Sequence, residues 1–539
     1  MFDNIPELKL NGIPIETVSE YTYLGMTIDA PYLTWNKHID LLIEKSLKNM
    51  NIIRVLAGTK WGADRKSLLN IYESLIKSKI AYGCPAFISA SKTNLKKLEV
   101  IQNTALRLAL GAWKSTRVEN LQVEANIVPI KLYIQLQSIN QYYKLKALGP
   151  ANQVHQQIFN NDDIRNRVYS PIAKKPFVLT VESLLPTWNL NINPHIEYFK
   201  YPVIPPWLNL KEYIILDLVT PTTKAMNKEF NRQSTIETLR TEYKDFIHIY
   251  TDGSKSDDSK TGAAFYAPHC NNTHSKWRLH DESSIASAEM SAIHISTSWL
   301  CRQDIPRKAV ILTDSKTSLH LINHRIPKNY IHSTTKIHEN ILTLTNKGWE
   351  IRFQWIPSHC DILGNDTVDT LANEGRLLDN ITYPIELNDL KNHTKKQMSR
   401  RWQQLWDIEK QNTNYGLLKP HIGDWFWCRN NTRFLDVLMT KLRLQKIGLN
   451  KYLFTIGRSN TNLCTQCNSE EIEDTDHFLL TCQNYSVPRY GIALSLRNLG
   501  INQLTSQILL GAVNVDLEAK IKISKQLAVF HKATGRERL

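Results

Sequence analysis

No stretch of the 539-residue chain is apolar for long enough to cross a bilayer as a helix. The opening residues, Met1-Phe2-Asp3-Asn4-Ile5-Pro6, carry no basic region followed by an apolar core, so no secretory signal is expected. Cysteine is sparse. Of eight, Cys84, Cys270, Cys301, Cys360 and Cys428 stand singly, and only Cys464, Cys467 and Cys482 cluster. That argues against a disulfide framework and suits a reducing compartment. The expected location is intracellular, nucleus or cytoplasm, with no secretion and no membrane partner. Acidic side chains are in deficit too: 51 Asp and Glu face 66 Lys and Arg, a formal charge of +15. Such an excess fits a polyanionic partner, RNA or DNA held through basic surfaces, and spread over this length it also serves solubility.

Against that basic background, four carboxylates stand in settings that let them converge. Asp245 to Ile249 reads as an interior strand that delivers Asp252 just before a Gly253-Ser254 turn. Ile285 to Leu300 reads as a helix with Ala292, Ile293, Ser296, Trp299 and Leu300 on its packed side. Glu289 lies on or beside that side, an expensive place for a lone carboxylate. The run Ala309-Val310-Ile311-Leu312-Thr313 reads as a central parallel strand with Asp314 at its C-terminal end, where open α/β sheets place their sites. Trp349, Ile351, Phe353 and Trp355 alternate along a further strand. A loop holding His359 follows, and a helix from about Asn365 carries Asp366 and Asp369 on one face. Four such carboxylates repel one another unless hard cations join them. Two magnesium ions, with manganese as a substitute, would clamp both sides of a phosphodiester displacement.

The ordered motifs Thr251-Asp252-Gly253-Ser254, Ala288-Glu289, Thr313-Asp314-Ser315, Ser358-His359 and Gly364-Asn365-Asp366-Thr367-Val368-Asp369 resemble those of type 1 ribonuclease H. The likeness spans residues 245 to 378. It implies a mixed sheet flanked by helices, and cleavage of the RNA strand of an RNA–DNA hybrid. Asp252, Glu289, Asp314 and Asp369 would bind the metals, and His359, on a mobile loop, would help proton transfer or product release. Two positions depart from the pattern: Asp366 stands where Glu is usual, and Asp361 where Gly is common. Ser254 and Ser315 read either as phosphate contacts or as turn caps. Arg325 and Lys328, in a basic stretch with His320, His324, His332 and Lys336, read either as phosphate contacts along the hybrid or as a solvated face.

Upstream, residues 9 to 30 read as short strands, followed by four helices: one from Thr34 to about Gly58, others capped by Asp64 and by Thr93, and a last from Ile130 to Leu148. In the first, Ile39, Leu42, Ile43, Leu47, Met50 and Ile53 form the apolar stripe. Tyr23-Leu24-Gly25, Leu33 to Ile39, Ala81 to Pro85 and Leu98 to Arg107 resemble the thumb-like tail of a reverse transcriptase from a jockey- or I-like non-LTR retrotransposon polyprotein. The paired aspartates of a polymerase centre are missing. Asp162-Asp163 and Asp257-Asp258 both lie in polar, loop-like settings. This chain alone is therefore expected to lack polymerase activity, with the upstream reverse transcriptase portion as a further partner.

Prolines and the aromatics Trp188, Phe199, Tyr201 and Trp207 mark an extended linker, which a helix from Thr222 to Tyr243 joins to the nuclease. Beyond it, a basic helix from about Asn388 to Lys410 and the aromatic knot Asp424-Trp425-Phe426-Trp427-Cys428 precede Cys464, Cys467, His477 and Cys482. The spacing C-x2-C-x9-H-x4-C suits a closed, structural zinc site, with Asp476 as outer partner. The expected fold is multidomain, α/β plus α. A helical thumb-like region spans 1–150, a proline-rich linker with its connecting helix 151–240, and a ribonuclease H domain 241–380. A basic helical region with a zinc-binding module at 464–482 spans 381–539. The function this implies is a metal-dependent hybrid ribonuclease, and the alternative is a catalytically silent nucleic-acid-binding remnant.

Overall fold

A computed structural model describes residues 8–30, 33–163, 175–191, 194–196, 205, 207–223, 226–304, 307–425, 432–511 and 515–536. Phe199, Tyr201, Phe426, Trp427 and Cys428 lie outside the described residues. Among those described, no helix is long and apolar enough to cross a membrane. Two compact units emerge, one from residues 1–138, 169–180 and 398–539, the other from residues 139–168 and 181–397.

The first unit opens with two hairpins, Lys9–Leu10 with Ile13–Pro14 and Glu20–Tyr23 with Met26–Asp29. The helix Asn36–Leu56 buries Ile39, Leu42, Met50 and Ile53, but Leu47, read as part of that stripe, is 41% exposed. Asp64 caps the helix Arg65–Tyr72 by accepting from the Ser67 backbone N–H at 3.1 Å. The next cap is Ser91, whose Oγ accepts from Asn94 N at 3.2 Å, so Thr93 lies inside the helix Lys92–Leu110. Residues distant in the chain share this unit's core. Glu124 is wholly buried; its Oε1 accepts from Arg65 Nη1 at 2.8 Å and Arg443 Nη1 at 3.4 Å, and its Oε2 from the Tyr415 hydroxyl at 2.6 Å. Trp425 is buried beside them, its ring 4.0 Å from the Arg443 guanidinium, which makes it packing and not an open stacking platform. Removing one member of such a cluster strands a buried charge, at a cost of about 3–5 kcal/mol.

The second unit is built on a six-stranded sheet. Its strands are β1 (Ile214–Ile215), β2 (Ile247–Lys255), β3 (Thr261–Ala267), β4 (Thr273–Leu279), β5 (Lys308–Thr313) and β6 (Glu350–Trp355). Their order is β1-β6-β5-β2-β3-β4; the β1-β6, β6-β5 and β5-β2 pairs are parallel and the other two antiparallel. The helices are α1 (Lys228–Thr241), α2 (Ile285–Cys301), α3 (Lys316–Ile322), α4 (Ile331–Asn346) and α5 (Leu363–Gly375). Along β5, Ala309 and Ile311 enter one apolar cluster while Val310 and Leu312 enter the other. Both faces of that strand are covered, which is why its sequence is a continuous apolar run. The stretch read as an extended linker holds helices Gln153–Phe159 and Phe177–Leu184 and supplies β1 to the sheet edge. Trp188 is buried, whereas Trp207 is 81% exposed.

Candidate functional site

Asp252 lies within β2 and not at its end. On one side β2 pairs with β5 only as far as Thr251 opposite Thr313. On the other it continues antiparallel to β3, with Asp252 opposite Ala264 and Lys255 opposite Thr261. Asp252 is thus the first residue past the parallel pairing, and Asp314 is the first residue past β5. Gly253 does not make a turn, contrary to the sequence reading. A Cβ there would stand 2.5 Å from Glu289 N and 2.7 Å from Ala288 C. Glycine lets α2 close onto the strand, and that approach carries Glu289 to the other two acids. One carboxylate oxygen from each of Asp252, Glu289 and Asp314 lies within 4.8 Å of the other two.

A cavity of about 650 Å³ is lined by these three residues and by Asp369, His359, Asn365 and Lys316. Asp369, on α5, stands outside the tight trio. Its Oδ1 accepts from Asn373 Nδ2 at 3.1 Å, and Asn373 Oδ1 accepts from the Ser254 hydroxyl at 2.7 Å. Ser254 therefore holds the fourth carboxylate through an amide. The Ser315 Oγ caps α3, accepting from Ser318 N at 3.3 Å. Arg325 and Lys328 are exposed on the loop between α3 and α4 and do not line the cavity; nor does Asp366, also exposed. Sequence reading missed Lys316, whose Nζ lies 3.8 Å above the Trp355 ring. The Trp355 indole in turn donates to the Asp314 carbonyl at 3.1 Å. The only sequence signal for Lys316 is a cation two residues after a strand-end aspartate.

Burial, then the charges of Asp314 and Asp369, push the Asp252 carboxyl up to about 8. Acids crowded in this way gain when a cation replaces the proton. The donors are all hard carboxylate oxygens, which fits magnesium or manganese. The exposed His359 has φ +53° and Asp361 φ +51°, both left-handed. Asp tolerates that region better than most side chains, and it explains why glycine is favoured at the second position. Asp361 Oδ1 also meets Lys228 Nζ at 2.8 Å.

In the first unit, one ligand-type atom from each of Cys464, Cys467, His477 and Cys482 lies within 4.8 Å of the other three. Cys464 and Cys482 sulfurs are 3.9 Å apart, and Cys467 Sγ is 3.4 Å from His477 Nε2. The ring is oriented by Glu471, whose Oε2 lies 2.6 Å from His477 Nδ1. Asp476, the outer partner expected from sequence, instead meets Ser506. Hydrogen bonds from Ser469 lower the Cys467 thiol to about 6, while burial raises Cys482 to about 12. Three thiols and an imidazole at tetrahedral-centre spacing are the donor set zinc prefers, and binding would release protons. The seven described cysteines are all free thiols.

Residues 244–376 match the protein family described as RNase H. The chain is 28% identical over 167 residues to the RNA-directed DNA polymerase from mobile element jockey of Drosophila melanogaster, covering 30% of this chain and 18% of that protein. It is 26% identical over 100 residues to the probable RNA-directed DNA polymerase from transposon BS of the same organism, covering 19% of this chain and 11% of that one. The matches therefore span less than a fifth of those relatives' own length. Among solved structures, the N-terminal RNase H domain of rv2228c from Mycobacterium tuberculosis, fused to maltose binding protein, aligns with a TM-score of 0.20 at 18% identity. That alignment covers 24% of this chain and 94% of that one. Residues 244–376 are thus a ribonuclease H domain, in a chain homologous to the reverse transcriptases of the jockey and BS non-LTR retrotransposons.

Proposed function

We propose that this chain hydrolyses the RNA strand of RNA–DNA hybrids, as part of a retrotransposon-derived reverse transcriptase, and does not polymerise on its own. The observation that carries the reading is the trio of carboxylates: three side chains from separate elements share one cavity with a fourth acid and a histidine. Bound magnesium or manganese supplies Lewis-acid stabilisation of the reacting phosphate and an activated water. The protein's part is to place that chemistry. Asp252, Glu289 and Asp314 hold the cations, and Asp369, steadied through Asn373 and Ser254, completes the set from α5. His359, exposed at the mouth, takes or returns a proton as product leaves. Lys316, over the Trp355 ring, is poised to meet a phosphate oxygen of the scissile strand.

Within the same reading, residues 1–150 act as a thumb-like region, and Cys464, Cys467, His477 and Cys482 hold a closed, structural zinc. The exposed Arg325 and Lys328 contact the backbone of the hybrid. Incubating the folded chain with a labelled hybrid and magnesium, beside Asp314→Asn, tests the proposal. Magnesium-dependent cutting by the native chain alone supports it. Binding without cutting would make the chain a silent remnant.

A further inference from the structure

Beyond the matched residues 244–376, the helix Leu387–Glu409 is rich in lysine and arginine, yet it opens on two buried acids. Glu386 stands just before it and Asp389 lies in its first turn. Asp389 is only 1% exposed. Its Oδ2 accepts from the Ser284 backbone N–H at 3.0 Å and from the Ser287 hydroxyl at 2.6 Å. Ser284 is the N-cap of α2, the helix that carries Glu289. In a capping box, the side chain at the third helical position accepts from the N-cap N–H. Here that position holds Ser287, whose own hydroxyl is given to Asp389, and Asp389 takes the N-cap N–H instead. The negative charge also suits the positive end of a helix.

The same short segment ties down the neighbouring helix. Glu386 Oε1 accepts from the Ser333 backbone N–H at 2.9 Å and from its hydroxyl at 2.6 Å, in the first turn of α4. The Tyr383 hydroxyl lies 2.8 Å from His294 Nδ1, further along α2. Glu289 follows Ser287 by two residues, so it sits close to the point that Asp389 holds. Its backbone is also the part of α2 that meets Gly253 on the sheet. Asp252 and Asp314 belong to the sheet side of the trio. Any slide or rotation of α2 therefore moves Glu289 against the other two acids.

We propose that Asp389 is a positioning residue for Glu289, a clasp from outside the matched domain that fixes α2 and so sets the spacing of the carboxylate trio. This role rests on the reading of Glu289, with Asp252 and Asp314, as a metal ligand. It requires no contact between Asp389 and the metal or the hybrid.

Manganese binding to the full chain, read by electron paramagnetic resonance with no substrate present, tests it. Asp389→Ala should weaken binding about tenfold, as the loss of a supporting partner does. Asp389→Asn keeps an accepting oxygen for Ser284 and Ser287 and should cost about threefold or less. In Glu289→Gln, adding Asp389→Ala should change the affinity by less than about twofold, because two changes that act through one ligand do not add. A purely structural Asp389 would lower the melting temperature and leave the manganese affinity as it was. Should Asp389→Ala not fold, Ser287→Ala removes one of the two bonds and should weaken manganese about threefold. Native affinity in the variant that folds, Asp389→Asn as damaging as Asp389→Ala, or a full further loss in the Glu289→Gln background overturns the proposal. A native chain that binds manganese and responds to Asp389→Ala, yet never cuts a hybrid, would sink hydrolysis and uphold the clasp.

Discussion

Asp252 is the residue whose surroundings most constrain the chemistry. Its carboxyl is held up at about 8, against about 3.9 for an unperturbed Asp. Between those values the folded state binds a proton that the unfolded chain has lost, so metal-free stability falls as pH rises from about 4 to about 8. The melting transition that magnesium shifts should therefore lie lower at pH 8 than at pH 5. Asp252→Asn should flatten that difference while abolishing cleavage, and an unchanged pH slope in the variant would refute the assignment. Ser254 makes a subtler prediction. Its hydroxyl holds Asn373, and Asn373 holds Asp369. Ser254→Ala should lower the cleavage rate about tenfold or more, as outer-partner losses do, with hybrid affinity near native. A pure affinity loss would return Ser254 to the phosphate-binding role its sequence also permits. The four acids were legible because each follows or precedes a recognisable apolar pattern. Glu471 was not: only folding brings it, and not Asp476, to the His477 ring.

At the scale of elements, Gly253 sets the distance between α2 and β2. Gly253→Ala would force the Glu289 backbone away from a Cβ that has only 2.5 Å. We expect a loss of about 1–3 kcal/mol by denaturant unfolding and near-complete loss of cleavage. A stable, active variant would show that the close approach does not position Glu289. The sequence made this glycine look like a turn because Asp-Gly so often is one. Strand pairing overrides that preference: β2 loses β5 after Thr251 but keeps β3 through Lys255, so the chain stays extended. The strands that precede Asp252 and Asp314, the one that ends at Trp355 and the helices that carry Glu289 and Asp369 were readable from periodicity, whereas β1, β3 and β4 went unread. The point where one neighbour stops and the other continues was not readable, because it depends on the lengths of three strands at once.

For the whole molecule, the least legible feature is the pairing of chain regions. Arg65 and Glu124 share a buried cluster with Tyr415 and Arg443, hundreds of residues away. No local pattern announces such a contact, although a buried Glu between two arginines is costly to assemble any other way. Within the same unit, Cys482→Ser, or a zinc-selective chelator in excess magnesium, should loosen the region around residues 464–482, read by hydrogen exchange, and leave magnesium-dependent hybrid cleavage within about twofold. Chelation with no change in exchange would remove zinc from the account. The central claim is that Asp252, Glu289, Asp314 and Asp369 act as one metal-holding set. Single-turnover cleavage of a labelled RNA–DNA hybrid by the folded chain, titrated with magnesium, tests it most directly. Magnesium-dependent cutting of the RNA strand alone, lost on Asp314→Asn with the fold intact, is the expected result; cleavage that survives the substitution, or a folded native chain that never cuts, would overturn the shared role of the four acids.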